Sequence, residues 1–206
     1  MSHYTIEQLI DLQQLEKLLE SHVRISGMAC GLMDTDQNII VGAGLQQVCT
    51  QFLWEHPASF ARCWRNDPAI KQDLHAFSGN MYECRCRNGM VNIAMPIIIE
   101  EKRLGVFFSG QFFYDDEPPD LAWFQSQAEE LGFDLEPYLA AVRQAPLFSR
   151  THVDNTMRFL HQLVQILAET GLVNLSRDHE LKERKQLLQE LFTLNAAINS
   201  SGEAFF

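Results

Sequence analysis

The sequence predicts an α/β (α+β) fold, an antiparallel sheet flanked by helices with a long C-terminal helical extension. Three observations predict it. Apolar residues recur at helical spacing near both ends of the chain; runs rich in β-branched and aromatic residues, separated by charged turns, fill the middle; and short proline-opened helical stretches lie between.

From Ile6 to Val23, Leu9, Ile10, Leu12, Leu15, Leu18 and Leu19 fall at helical spacing, which predicts one amphipathic helix ending before Gly27. Met28 to Met33, the polar stretch Asp34 to Asn38, and Ile39 to Val41 read as strand, turn and strand. Between Leu45 and Phe77 the apolar residues do not alternate. Pro57 and Pro68 each suit the first turn of a helix and cannot continue one, so two or three short helices are expected there.

Strands follow at Met90 to Ile99 and Leu104 to Phe113, joined through Glu100 to Arg103. Strict alternation would put Phe107, Ser109 and Gln111 on one face and Phe108, Gly110 and Phe112 on the other. A helix is expected after Asp120, stopping at Gly132, and another from Pro137 to Gln144. The next helix, from Val153 to about Leu175, carries Met157, Leu160, Leu163, Val164 and Leu167 on one face and is expected to break near Gly171. Beyond it, Leu187, Leu191, Leu194 and Ile198 are spaced four, three and four residues apart, as in a coiled-coil seam. The alternative for that segment is a surface helix packed on its own domain. The ending Ser200 to Phe206 reads as the start of a truncated following domain. Residues 1–172 are thus expected to form one domain, 173–199 a helical connector, and 200–206 the beginning of the next unit.

Composition narrows the function. With 46% hydrophobic and 21% charged residues the chain can bury a core. A formal net charge of −11 argues against nonspecific binding to nucleic-acid phosphates, which needs a clustered basic footprint. No apolar run approaches the roughly 18 to 20 residues that cross a bilayer, and the N-terminus lacks a signal-peptide layout, so a cytoplasmic fragment without a membrane segment is expected.

The element order resembles a PAS-like sensor. Residue detail narrows the resemblance to the PocR sensory family: Cys49 with Phe52, Arg62-Cys63 with Asp67, then Tyr82, Cys84, Cys86, Asn88-Gly89-Met90-Val91, Ile93-Ala94, Pro96-Ile97, Leu104-Gly105 and Gly110-Gln111. The similarity spans roughly Ile6 to Leu167, with Tyr82 to Phe113 its most specific part. The chain departs from the pattern at Arg87 and Met90, and it carries Cys30 and Cys84 outside the matching trio of cysteines. This resemblance implies a regulatory module placed ahead of a histidine kinase, diguanylate cyclase or transcription-regulator output, with a small organic compound as ligand and no catalysis of its own.

A small-ligand pocket combines apolar and aromatic walls with a few fixed polar groups. Candidate ligand-binding residues on that basis are Trp64, Tyr82, Asn92, Met95, Phe107, Ser109 and Gln111. Plain core packing is the competing reading for the aromatics, whereas a buried Gln111 amide needs a partner that a ligand hydroxyl can supply. Cys84 and Cys86, two apart on a strand, share a face. The five cysteines leave three alternatives open: buried or free thiols, a redox pair, or a zinc or iron–sulfur site. The family-like trio Cys49, Cys63 and Cys86 would supply the metal ligands, with His56 or His75 as a possible fourth. A cysteine-nucleophile enzyme is a further reading, but nothing in the sequence brings a base beside a thiol. The partners expected are a small organic ligand, a C-terminal output domain and a second copy of the chain along the Leu187 seam.

Overall fold

The computed structural model describes residues 4–77 and 81–202. The N-terminal helical stretch is two helices, α1 (Ile6–Leu9) and α2 (Leu12–Ser26), because Asp11 caps a new start: its carboxylate accepts the N–H groups of Gln13 and Gln14 at 3.1 Å. The apolar period runs through this break, so spacing alone predicted one helix. Strands β1 (Cys30–Met33) and β2 (Ile39–Ala43) form the expected hairpin. A single π-helical turn (Val48–Leu53) and helices α3 (Pro57–Ala61) and α4 (Pro68–Ala76) follow, the last two opening at their prolines.

Strands β3 (Tyr82–Arg85), β4 (Val91–Ile99) and β5 (Lys102–Tyr114) complete the main sheet, whose order is β2-β1-β5-β4-β3 with antiparallel neighbours. Next come α5 (Leu121–Leu131), capped by Asp120 and ended by Gly132, and α6 (Leu135–Gln144). The two-residue β6 (Leu147–Phe148) pairs parallel with the end of β5, which makes the sixth strand.

Helix α7 (Arg150–Gly202) is continuous. The expected break at Gly171 is absent, and the glycine has another cause: a Cβ built there would lie 1.8 Å from the Leu9 carbonyl oxygen of α1. Gly171 lets two helices touch. Residues 200–202 prolong the helix, and 203–206, the rest of the expected following unit, lie outside the described residues.

The sheet divides the core in two. On one side Ile93, Met95, Ile97, Phe107 and Phe112 pack against α1, α2 and the first turns of α7, where Met157, Leu160 and Val164 are buried. The other side packs Ala94, Val106, Phe108 and Phe113 against the π-helix, Trp64, α5 and α6. Both faces of β4 and β5 are therefore buried, which explains their near-continuous apolar runs.

Candidate functional site

The expected alternation along β5 fails at one residue. Asn92 pairs with Gly110 and Val91 with Phe112, so Gln111 is an extra residue, a β-bulge with φ of 65°. Past the bulge the faces exchange: Phe112 joins Phe107 in the α7-side core, and Gln111 turns to the Phe108 side. Gly110 is needed beside it, since a Cβ there would lie 2.3 Å from Asn92 Oδ1. The Gly-Gln pair thus swings one amide out of the core pattern and fits a second against it.

Gln111 enters a small cavity walled by Cys49 and Leu53 of the π-helix, Trp54, Cys63, Trp64, Cys86, Asn88, Met90 and Asn92. Its free space is about 10 Å³, near the ~10–15 Å³ that a single water needs. Polar groups fix the walls. The Gln46 N–H donates to Gln111 Oε1, Asn92 Nδ2 donates to the Met90 carbonyl at 3.0 Å, and Asn88 Nδ2 donates to the Ser59 carbonyl at 2.7 Å. Ser59 in turn donates its hydroxyl to the Leu53 carbonyl at 2.7 Å, tying α3 to the π-helix. The Arg65 guanidinium covers the Trp54 ring at 4.4 Å, and Trp64 leans on Phe108 with ring centres 5.9 Å apart. Asn88 Oδ1 is left buried without a protein partner. Such an acceptor is costly unless a donor fills the place.

Trp64, Asn92 and Gln111 of the expected ligand residues line this cavity together with Cys49, Cys63 and Cys86. Tyr82 sits half-buried at the sheet edge on the same side, its ring against Phe77 with centroids 5.5 Å apart. Met95 and Phe107 lie across the sheet in the α7-side core, and Ser109 is fully buried with its hydroxyl donating to the Ala29 carbonyl at 2.6 Å. The separation follows from the pleat, because residues an even number apart before the bulge share Phe107's face. Leu53, Trp54, Asn88 and Met90 are wall residues that spacing did not single out. Asn88 stood in the sequence only as part of the family-like run, and the orphaned oxygen depends on Ser59, a partner 29 residues away.

Cys84 on β3 and Cys86 just past its end join the same side of the core, while Cys30 is on the opposite face in the α7-side core. Burial pushes the Cys84 thiol up to about 12 and that of Cys30 also to about 12. Cys49 is driven well above its ordinary value by burial, then by Cys86 and Cys63. Burial and the neighbouring Cys63 raise Cys86 to about 11, although hydrogen bonding from Met90, Asn88 and Asn92 opposes the rise. These thiols are neutral at pH 7 and poor nucleophiles.

A raised thiol pKa stabilises the fold below the unfolded-state value and loses that contribution as pH climbs through the folded value. For Cys86 that window runs from 9.0 to about 11. The urea midpoint of the wild type is expected to fall across this range more steeply than that of Cys86→Ala; parallel curves would remove the buried-thiol account.

Among the described residues, no group of three or more His, Cys, Asp and Glu side chains has the geometry to hold a metal ion. The cysteine trio surrounds a cavity without closing into a coordination sphere. His56 sits at the N-terminal boundary of α3 without a side-chain capping bond, its ring edge-on to Phe133 at 5.6 Å, and the His75 side chain lies outside the described residues.

Comparison with known families settles the grouping. The family model for the sensory domain found in PocR matches residues 8–172, from within α1 through the domain-packed part of α7. The chain belongs to the PocR sensory-domain family. No curated protein and no solved structure matches it. The PocR match ends at Leu172, just beyond the Gly171 contact with α1, and the rest of α7 continues as an exposed helix. No described helix is long and apolar enough to cross a membrane.

Proposed function

We propose that this PocR domain is the sensory module of a cytoplasmic signal-transduction protein, binding a small organic molecule at the Gln111–Asn88 cavity and passing a conformational signal along α7. The orphaned acceptor Asn88 Oδ1, buried in a cavity with aromatic walls and two further side-chain amides, carries this reading. The ligand class is a small molecule with at least one hydroxyl or amine donor for Asn88 and an apolar part for Trp54, Trp64 and Leu53. Because the cavity holds about one water in this conformation, binding requires the π-helix and α3 to move outward. Both are short elements, which suits a lid.

The route to α7 is one sheet thick. Asn92 lies on β4 and Gln111 on β5, and the opposite faces of these strands carry α7. The His161 ring is hydrogen-bonded to the Pro96 carbonyl at 2.9 Å, and Gln165 Nε2 donates to the Ile98 carbonyl at 2.6 Å. Ligand binding that favours one sheet geometry shifts the population of α7 positions. The output would be a kinase, cyclase or transcription-regulator module following the connector, with α7 pairing against a second copy through Leu187, Leu191 and Leu194. The Ile198 side chain lies outside the described residues.

A thermal-shift screen with small alcohols, polyols and amines tests this. A compound that raises the wild-type Tm should raise that of Asn88→Ala or Gln111→Leu far less; equal shifts in all three proteins would move the site elsewhere. The competing reading, metal or redox sensing at Cys49, Cys63 and Cys86, predicts near-stoichiometric zinc or iron in purified protein, lost on Cys63→Ser. Metal-free protein that still responds to a screened compound would exclude it.

A further inference from the structure

Two stripes run along α7 on different sides. Val153, Met157, Leu160, Val164 and Ala168 are buried in the domain. Roughly opposite it, about 140° round the helix at Phe159 and about 180° at Val173 for 3.6 residues per turn, a second stripe recurs every seven residues: Phe159, Ile166 and Val173, then Glu180, then Leu187 and Leu194. Each apolar member of it is between 59% and 66% exposed. The positions four residues further on include Leu163, half-buried, and Leu191, exposed, so both sets of a heptad seam are represented. The repeat passes from the domain-packed part of α7 into the extension without a change of phase.

The seam has one charged stretch, and it carries both signs. Arg177 and Arg184 lie three and four residues from Glu180, on the neighbouring seam positions, with Glu183 beside Arg184. In a parallel, in-register pair like residues share a layer, so the two Glu180 side chains face each other but are bracketed, one layer away on either side, by Arg177 and Arg184 of both copies, and with the two Glu183 the eight charges sum to zero. A partner without matching charges would leave three charges against an unresponsive surface, which is costly. Charge complementarity therefore favours a second copy of this chain.

We infer that the dimer interface begins on the back of the sensory domain, at Phe159, and follows α7 in register to Leu194, with the layer Arg177, Glu180 and Arg184 dividing it into two apolar halves. This rests on the reading of α7 as a dimeric connector and enlarges it: the sensory domains themselves meet, through a helix whose sheet-facing side is hydrogen-bonded to Pro96 and Ile98 by His161 and Gln165. The charged layer fixes register at a cost in affinity, as polar seam residues do. It is the weak point between the half held by the domains and the half that leads away.

Analytical ultracentrifugation of the whole chain tests this. Ile166→Glu with Val173→Glu, both exposed positions, is expected to weaken the dimer at least about tenfold, the effect of a ~1.4 kcal/mol loss. Leu191→Glu with Leu194→Glu should do the same, and Ile25→Glu, on an 88% exposed position of α2, should change nothing. Circular dichroism confirms that each variant is folded. If the distal pair dissociates the dimer and the proximal pair does not, the connector reading stands and this inference fails. A wild-type chain that is monomeric at every concentration removes both. Orientation is read by mild oxidation of Ile166→Cys, with the wild type treated alongside: a new disulfide-linked dimer supports parallel register. A Glu180→Cys cross-link without an Ile166→Cys cross-link shows antiparallel helices and overturns it.

Discussion

Gly171→Ala is expected to destabilise the domain by about 3 kcal/mol, at the upper end of typical overpacking costs, although in an unencumbered helix the same change stabilises by about 1 kcal/mol. The sign comes from one contact. The new Cβ would sit 1.8 Å from the Leu9 carbonyl oxygen and 2.6 Å from its carbonyl carbon, and both belong to backbone rather than to a side chain that can turn away. Helix α1 must lift, taking with it Ile6 and Leu9, which are buried against α7. Loss of about 3 kcal/mol lowers Tm by roughly 6–12 °C in a domain of this size. Thermal unfolding of Gly171→Ala beside Ser176→Ala, at an exposed helical position, reads the effect. A rise in Tm for Gly171→Ala would mean that the glycine merely weakens the helix and that the α1 contact is dispensable.

Gly171 also marks the limit of what the sequence discloses. A glycine within an apolar helical period reads as a break when only neighbours in the chain are considered, and its reason here is a residue more than a hundred and sixty positions away. Asp11 failed in the opposite sense, a strong cap hidden because Leu9, Ile10 and Leu12 keep the apolar spacing on both sides of it. Where the signal is local the elements were legible. Pro57, Pro68, Asp120 and Gly132 mark helix ends through their own backbone chemistry, and the β4–β5 hairpin follows from two apolar runs around a charged turn.

The site was less legible because it hangs on a single extra residue. Alternation assigns every β5 side chain to a face until a bulge shifts the count, and the bulge at Gln111 depends on pairing with Asn92 across the hairpin. Gly110-Gln111 was visible as a motif, yet nothing local says that the glutamine leaves the Phe107 face. The gathering of Cys49, Cys63 and Cys86 at one cavity was suggested by family resemblance, since residues 37 positions apart at the extremes carry no spacing signal. The π-helix beside the cavity is similar: a single π-turn has no sequence pattern of its own, although such turns often mark functional sites.

The bulge makes Phe107 and Gln111, two residues that strict alternation puts on one face, behave differently on substitution. Phe107 is fully buried between the sheet and the helices on the α7 side, so Phe107→Ala should cost about 3–5 kcal/mol as a core truncation. Its Tm should fall by roughly 10 °C or more, while a compound that stabilises the wild type still produces a comparable upward shift, because the cavity on the other face keeps its walls. Gln111→Leu should show the reverse. It loses the hydrogen bond accepted from the Gln46 N–H, worth about 1 kcal/mol net, so most of the stability remains, but the compound's shift largely disappears. The backbone at position 111 already has φ of 65°, a strain that glutamine bears as well, so the substitution adds little there. Measuring Tm for both variants with and without the compound separates the two roles. Should Phe107→Ala abolish the shift at unchanged Tm, the ligand would have to lie on the α7 face of the sheet, and the cavity beneath the π-helix would lose its assignment.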